Sequence, residues 1–191
     1  MEKLDSSSAS RTAIVLVSGG LDSTACLHFL RATGFSVIGL FVDFGQPASR
    51  VERATVQTLA RELSFDVTCL EFRGFGCVGA GELHGRNLLL IAAAIFYAEK
   101  SSCVVATGIH AGTGYYDCSE HFLAAVNHIV SSQSDGRVSL LAPFVTWSKR
   151  DVYDYAVVEK LPVSLTYSCE NGCVPPCEGC ASCRDRRALN C

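Results

Sequence analysis

Six consecutive residues, Ser18 to Ser23, have the order Ser-Gly-Gly-Leu-Asp-Ser and combine two glycines with two hydroxyls and one carboxylate. They follow an apolar run at residues 13–17 and precede a stretch with helical spacing of its apolar residues. A glycine-rich loop between a strand and a helix presents backbone N–H groups at a point where the helix dipole also favours negative charge. The loop therefore predicts a site for a polyphosphate with its divalent cation. The other interpretation is an ordinary Gly-Gly turn in which Asp22 or Ser23 only caps the helix.

Cysteines near the C-terminus form a second pattern with a chemical use. Cys169 is followed by Cys177, Cys180 and Cys183, so that two Cys-x-x-Cys spacings overlap. Four thiolates saturate a tetrahedral zinc ion and leave no open position, which predicts a structural Zn²⁺ site at these residues. A redox-active Cys-x-x-Cys pair and an iron–sulfur cluster are the alternatives. Cys173 lies inside the long gap, where it is either a spare thiol or a substitute ligand.

Alternating strand and helix patterns must position these residues. Strand patterns occur at 13–17, 37–43, 67–72, 103–107 and 138–142, and helical patterns follow them at 23–33, 50–63, 88–99, 119–132 and 148–160. The alternation predicts an α/β fold with an open, mostly parallel, doubly wound sheet. Such sheets bind ligands beyond the carboxyl ends of their strands. Residues 73–85 contain five glycines and are expected to form a loop.

Composition and charge limit the class of protein. The 191 residues carry a net charge of -3, and 49% of them are hydrophobic, as expected of a folded domain. We expect a disordered tail at 1–11, a nucleotide-binding domain at 12–165, and a metal-binding segment at 166–191 packed on that domain. The acidic balance does not indicate direct nucleic-acid binding, and no apolar run is long enough to span a membrane, so a cytoplasmic location is expected. Three basic residues near the C-terminus predict a solvated helix face, with a local phosphate contact as the alternative: Arg184, Arg186 and Arg187.

Short motifs along the chain carry a family resemblance. The Ser18–Ser23 segment matches the SGGxDS pattern of PP-loop ATP pyrophosphatases. Further markers follow in order: Phe44-Gly45-Gln46, Gly85-Arg86-Asn87, Tyr116-Asp117-Cys118, and Thr166-Tyr167-Ser168-Cys169 leading into the remaining cysteines. In order and spacing these motifs resemble the 7-cyano-7-deazaguanine synthase (QueC) family, from about residue 13 to residue 189. The resemblance implies a PP-loop fold of the adenine nucleotide α-hydrolase type.

The resemblance also implies an activity. Members of that family use ATP to adenylate the carboxylate of 7-carboxy-7-deazaguanine, with release of pyrophosphate. Ammonia then displaces AMP to give the amide, and a second ATP activates the amide oxygen so that dehydration gives the nitrile. The expected protein is thus a carbon–nitrogen ligase of queuosine biosynthesis that uses ATP, Mg²⁺ and a structural Zn²⁺. Its expected partners are the deazaguanine carboxylate, ammonia and a second copy of the chain in a homodimer.

The same motifs imply the site residues. Those expected at the nucleotide are Val17, Ser18, Gly19, Gly20, Leu21, Asp22, Ser23, Thr24, Phe41 and Val42. Those expected to act in catalysis are Ser18, Asp22, Ser23, Arg86 and Lys149. Those expected at the deazaguanine are Gln46, Gly85, Arg86, Asn87 and Asp117.

Each side chain with an expected role has a chemical reason for it. Hydroxyls and N–H groups of the loop suit pyrophosphate, and Asp22 suits Mg²⁺. Arg86 offers a fork to a carboxylate or phosphate, and Lys149 offers a charge to phosphate. The alternatives are surface ion pairs for Arg86 and Lys149, and a cap on the following helix for Asp117.

Two positions depart from the family pattern on the substrate side. The family has a basic pair after Gly-Gln and Arg-Pro after Asp-Cys, whereas this chain has Pro47-Ala48 and Ser119-Glu120. The departures motivate an alternative: an adenylating enzyme that stops at the amide, or that joins a deazaguanine to a protein amine, for example in a defence pathway. A tRNA-thiolase-like enzyme with a cysteine as sulfur carrier and a catalytically silent zinc-stapled module are further alternatives.

Overall fold

Strands and helices alternate along the chain in the computed structural model, which describes residues 11–74, 78–98 and 103–191. The strands are β1 (Thr12–Leu16), β2 (Ser36–Asp43), β3 (Asp66–Glu71), β4 (Cys103–Ala106) and β5 (Val138–Leu141). The α-helices are α1 (Leu21–Ala32), α2 (Ser49–Glu62), α3 (Arg86–Ala98), α4 (Glu120–Gln133), α5 (Lys149–Val158) and α6 (Ala181–Leu189). Short 3₁₀ helices lie at Tyr116–Cys118 and Val163–Leu165. Apart from Arg11, the expected N-terminal tail lies outside the described residues.

The strands form one parallel sheet in the order β3-β2-β1-β4-β5. Alternate residues of the central strand β1 face two different cores. Ala13 and Val15 join residues of α1, α2, α5 and α6, whereas Ile14 and Leu16 join residues of α3 and α4. Helices therefore cover both faces of the sheet, which explains the continuous apolar run of β1. The α/β, parallel, doubly wound architecture expected from the sequence is confirmed.

The strand order reverses between β1 and β4, and the backbones that follow these two strands touch. A Cβ atom at Gly108, just after β4, would lie 2.7 Å from the backbone carbon and oxygen of Asp22 in the first turn of α1. Only glycine permits so close an approach. The loop after β1 and the loop after β4 consequently share one crevice, the usual ligand site of such sheets.

The C-terminal segment packs across this crevice. The Tyr167 N–H donates to the Gly19 carbonyl at 2.9 Å. Gly172 has a φ of 68°, and a Cβ there would collide with the Pro47 carbonyl oxygen. Leu189, at the end of α6, is buried in the first core. Residues 166–191 thus lie on the same body as the sheet.

Arginines of α6 differ from the expected solvated face. Arg184 and Arg187 are exposed, as predicted. Arg186 is half-buried: its Nη1 donates to the carbonyl and hydroxyl oxygens of Thr166, both at 2.9 Å, and its Nη2 donates to the Val163 carbonyl. The prediction of solvation is therefore wrong for Arg186, which fastens α6 to the segment before it.

Across the described part of the chain, none of the helices has the length and apolar character needed to cross a bilayer.

Candidate active site and metal centre

A cavity of about 540 Å³ lies beyond the carboxyl ends of β1, β2 and β4. The expected site residues that line it are Val17, Ser18, Gly20, Leu21, Asp22, Ser23, Phe41, Val42, Gln46, Arg86, Asn87 and Lys149. Four other expected site residues do not line the cavity: Gly19, Thr24, Gly85 and Asp117. Motifs that are far apart in sequence therefore meet at one cavity.

The loop from Ser18 to Ser23, called the phosphate loop below, is fixed by its own hydroxyls. The Ser23 hydroxyl donates to the Gly20 carbonyl (3.1 Å) and accepts from the Ser18 N–H (3.3 Å). Gly19 has a φ of 78°, and a Cβ there would lie 2.8 Å from Thr55 of α2. Helix α1 follows Gly20, and no side chain caps its first turn. The N–H groups of that turn are open to an anion, as the sequence predicts.

Lys149 forms a bidentate ion pair with the phosphate loop. Its Nζ lies 2.7 Å and 2.6 Å from the two carboxylate oxygens of Asp22. The side chains are 24% and 28% exposed, so the pair is at the cavity wall and not on the outer surface. Lys149 is held there because Ser148 and Asp151 form a reciprocal capping box at the start of α5. The ion pair joins two residues that the sequence assigned separately.

His110, which the sequence analysis did not single out, is buried beside this pair. The Gly112 N–H donates to its Nδ1 at 2.9 Å, and its Nε2 lies 3.8 Å from an oxygen of Asp22. Burial lowers the pKa of His110; Asp22 opposes this shift and Lys149 adds to it. Neutral His110 therefore carries its proton on Nε2, toward the cavity. The sequence could have indicated His110 by its place in the loop that follows β4, because ligands in such sheets bind beyond the carboxyl ends of the strands.

Gln46 on the opposite wall is held by its own turn. Its Oε1 accepts from the Phe44 N–H, and its Nε2 donates to the Val42 carbonyl and to Glu52. Burial raises the pKa of Glu52, against the hydrogen bond from Gln46 and the charge of Arg86, which lower it. Gln46 thus orients Glu52, a cavity residue that the sequence analysis missed because helical charges are usually solvated.

Gly85-Arg86-Asn87 and Tyr116-Asp117-Cys118 meet at the start of α3. The Asn87 N–H donates to the Asp117 carboxylate (3.3 Å), and the Asn87 side chain donates to the Asp117 carbonyl (3.0 Å). The cap of the following helix α4 is Ser119, so Asp117 serves the first turn of α3 instead. The guanidinium of Arg86 lines the cavity, and no hydrogen bond or ion pair holds it within residues 11–74, 78–98 and 103–191.

Four thiols come together at the C-terminal segment. The Sγ atoms of Cys169, Cys177, Cys180 and Cys183 lie within 4.8 Å of one another. Tetrahedral zinc with bonds of about 2.3 Å separates its thiolates by about 3.8 Å, so the cluster is of the right size for one ion. Cys173 is exposed and outside the group, which agrees with a spare thiol.

Backbone N–H groups prepare these thiols for a cation. The N–H of Cys177 donates to Cys169, that of Cys180 to Cys177, and that of Cys183 to Cys180, each at 3.4 Å. Burial opposes ionisation of Cys169, but N–H groups of the following residues outweigh it and lower its pKa to about 6. Cys180 is also the N-cap of α6. The donor set fits a metal ion, and the ion would fix the start of α6.

Comparisons with known proteins agree with this geometry. The family model of the queuosine biosynthesis protein QueC matches residues 12–84 and 82–189. The chain is 33% identical to the 7-cyano-7-deazaguanine synthase of Synechococcus sp. (strain RCC307), over 94% of each chain, and 30% identical to that of Halobacterium salinarum, over 93% of this chain and 90% of the relative.

Solved structures share the fold at low identity. The U34-tRNA thiolase NcsA from Methanococcus maripaludis, solved with its [4Fe-4S] cluster, has a TM-score of 0.56 and 14% identity, over 95% of this chain and 65% of that one. A predicted tRNA methyltransferase subunit from Methanocaldococcus jannaschii has a TM-score of 0.53, also at 14% identity, over 77% of this chain and 74% of that one. These likenesses show the fold alone. The family model and the curated relatives, in contrast, cover nearly the whole chain: it belongs to the QueC family.

Proposed function

We propose that this protein is an ATP-dependent carbon–nitrogen ligase that converts 7-carboxy-7-deazaguanine into 7-cyano-7-deazaguanine. The observation that carries the proposal is the position of the phosphate loop. Its uncapped α1 N-terminus opens on the same cavity as Arg86, whose guanidinium makes no hydrogen bond or ion pair with the described residues. One pocket thus presents a phosphate cradle and a carboxylate fork, the two groups that an acyl-adenylation must bring together. The curated relatives bear the name of this activity.

The nucleotide half of the cavity is built for ATP. Its volume is within the range of pockets that hold small ligands. The end of β2 at Phe41 and Val42 lines the part of the cavity where adenine would lie, and the hydroxyls of Ser18 and Ser23 lie beside the N–H groups of α1 to hold the departing pyrophosphate. Mg²⁺ entering with ATP would offset phosphate charge, with Asp22 as its protein ligand. Both oxygens of Asp22 are paired with Lys149, so this role requires Lys149 to move.

The chemistry needs positioning and charge more than a nucleophilic side chain. The substrate carboxylate attacks the α-phosphorus of ATP, pyrophosphate leaves, and an acyl-adenylate forms. Ammonia displaces AMP and loses a proton to give the amide. The amide oxygen then attacks the α-phosphorus of a second ATP, a second pyrophosphate leaves, and loss of AMP with two protons gives the nitrile. Arg86 would orient the carboxylate, and Asp117 would act through Asn87 by fixing the first turn of α3.

The Cys169, Cys177, Cys180 and Cys183 cluster is proposed to hold one structural Zn²⁺. Four ligands fill a tetrahedral zinc and leave it no place for substrate, so its contribution is to the fold. The close spacing of the thiols favours a single ion over an iron–sulfur cluster, in which the four thiolates are distributed over two or four irons. We also propose a cytoplasmic homodimer in which residues 12–165 bind nucleotide and 166–191 bind metal.

A reconstituted reaction tests the function. Protein, Mg-ATP, 7-carboxy-7-deazaguanine and ammonium are mixed, and AMP, amide and nitrile are followed by mass spectrometry. We expect nitrile formation with two AMP per product, and AMP formation that depends on the deazaguanine. Absence of substrate-dependent AMP would contradict the proposal.

The second candidate is an enzyme that stops at the amide or conjugates the deazaguanine to a protein amine. The observation that favours it is Pro47-Ala48, where the family has a basic pair and where the Gly172 turn packs closely. In the same reaction, amide with one AMP and no nitrile supports this candidate. Nitrile formation excludes it.

A further inference from the structure

His110 lies where three elements bring charged side chains together. Its ring faces Asp22 of α1, Lys149 of α5 and Asp185 of α6. Because the Gly112 N–H donates to Nδ1, the proton of the neutral ring is on Nε2. Nε2 lies 3.8 Å from the nearer Asp22 oxygen, which is too far for a hydrogen bond. The Nε2–H of His110 thus faces Asp22, whose two carboxylate oxygens already accept from Lys149.

Lys149 has a competing partner once ATP enters. Its Nζ contacts both oxygens of Asp22 and lines the cavity that would receive the phosphates. A triphosphate carries more negative charge than one carboxylate, so it attracts Lys149 away from Asp22. Mg²⁺ can take one oxygen of Asp22, whose side chain is only 28% exposed, but the other oxygen would then lose its partner inside a filled cavity. A carboxylate oxygen without a hydrogen-bond donor in such a place is costly.

We propose that His110 is a positioning residue for ATP binding: its Nε2–H becomes the partner of Asp22 when Lys149 turns to the phosphates. A movement of about 1 Å brings the two atoms to hydrogen-bond distance. No proton is transferred, because the neutral ring already carries its proton on the correct nitrogen. The inference rests on the ATP-binding part of the proposed function and adds a residue that the family motifs quoted above do not include.

A purely structural role for His110 would work through its other nitrogen. In that case the ring only anchors the Gly112 turn through Nδ1, and nothing at Nε2 matters for ATP. The variants His110→Asn and His110→Gln separate the two roles. The Asn carbonyl reaches the place of Nδ1 and can accept from Gly112, but the side chain is too short to reach Asp22. The Gln amide nitrogen reaches the place of Nε2 and can donate to Asp22.

Binding of Mg-ATP, measured by calorimetry without deazaguanine, gives the direct readout. We expect His110→Asn to weaken binding about tenfold, as for loss of one hydrogen bond to a charged group, and His110→Gln to stay within about threefold of the unsubstituted protein. Thermal unfolding of both variants accounts for any general loss of folding. If both variants weaken Mg-ATP binding equally, or if neither variant weakens it, the inference is overturned while the ATP site itself stands. No binding by the unsubstituted protein overturns the ATP site and the inference together.

A second measurement tests the exchange of partners. In a Lys149→Met background no lysine leaves Asp22, so His110 can serve Asp22 both before and after ATP binds. The dissociation constants of the His110→Asn and His110→Gln variants for Mg-ATP should therefore differ about tenfold without the Lys149→Met change and hardly at all with it. A ratio that stays near tenfold shows that His110 acts on ATP without Lys149, and it overturns the exchange.

Discussion

The phosphate loop and the motifs proposed to hold the deazaguanine (Gln46, residues 85–87 and Asp117, called the deazaguanine side) are equally recognisable in the sequence. In the structure their polar groups have different partners. In the phosphate loop, the N–H groups of the α1 first turn remain open toward the cavity. On the opposite wall, Gln46 hydrogen-bonds to its own turn and to Glu52, and Asn87 hydrogen-bonds to Asp117. The phosphate loop thus keeps N–H groups available for a ligand, whereas Gln46 and Asn87 use their polar groups in hydrogen bonds within the protein.

This difference shows that motif residues do not all line the cavity. A buried amide or carboxylate must have partners, and neighbouring motif residues are the nearest ones. Arg86 is the exception on the deazaguanine side, since its guanidinium lines the cavity without a partner among the described residues. The contrast therefore predicts large functional effects at Asp22 and Arg86, and effects mainly on stability at residues such as Glu52.

The largest effect should come from a change that disturbs both regions at once. The cysteine segment contacts the phosphate loop through Tyr167 and the opposite turn through Gly172. Cys180→Ser removes a thiol of the cluster, while the serine hydroxyl can still cap α6. We expect it to lower the bound metal from about one ion per chain and to reduce Tm by about 10 °C or more, because metal affinity contributes directly to folding.

Cys173→Ser is the matched control for this experiment, since Cys173 is exposed and outside the cluster. Its metal content by elemental analysis and its Tm should equal those of the unsubstituted protein. If the two variants behave alike, the ligand set is wrong and the segment does not tie the two regions together through a metal.

Periodicity and turn residues were enough to predict the fold. The bounds of each predicted strand and helix differ from the observed ones by at most two residues, because alternating apolar runs face two cores. Helix α3 was predicted from its helical pattern, and its burial is uneven: Ile91 and Ala94 are buried, whereas Phe96 is 86% exposed. The hydrogen bonds of Arg186 were not predictable, because a basic cluster gives no sign of the carbonyl groups that fold back onto it.

The site was predictable where a motif requires a particular backbone, and not where partners come from distant elements. The phosphate loop and the four cysteines belong to the first kind. The pairing of Asp22 with Lys149 spans 127 positions and depends on α1 and α5 packing against each other. His110 and Glu52 belong to no motif, and only the sheet order places them at the cavity.

The phosphate-loop side of the comparison is tested by Asp22→Asn. The amide keeps the shape but loses the charge that holds Lys149 and would face Mg²⁺. We expect substrate-dependent pyrophosphate release to fall about 100- to 1,000-fold, the size seen when one preorganised electrostatic group is removed. Asp154→Asn, which breaks the exposed pair with Arg150, is the control and should change little. A loss below about threefold for Asp22→Asn would mean that this side is also mainly structural.

Arg86→Ala tests the residue proposed to bind the deazaguanine carboxylate, whose side chain makes no hydrogen bond or ion pair with the described residues. We expect KM for the deazaguanine carboxylate to rise about 10- to 100-fold, equivalent to loss of charge-assisted hydrogen bonds, with little change in KM for ATP. Arg86→Lys should restore only part of the affinity, because an ammonium lacks the fork. The exposed Arg73, changed to Ala, is the control. A rise in KM for ATP alone would move Arg86 to the nucleotide half.

The smallest effect should be a gain of stability at Glu52. Burial raises the pKa of this carboxyl, so its contribution to stability is complete below its ordinary pKa and is lost as the pH rises through the raised value. Glu52→Gln keeps an acceptor for Gln46 and removes the charge, so Tm should be a few degrees higher at pH 8 and nearly unchanged at pH 4. Glu62→Gln, at the exposed end of the same helix, should show no such difference. A lower Tm for Glu52→Gln at pH 8 would mean that Arg86 and Glu52 form a stabilising pair. The deazaguanine side would then have no free charged group, and the contrast with the phosphate loop would be complete.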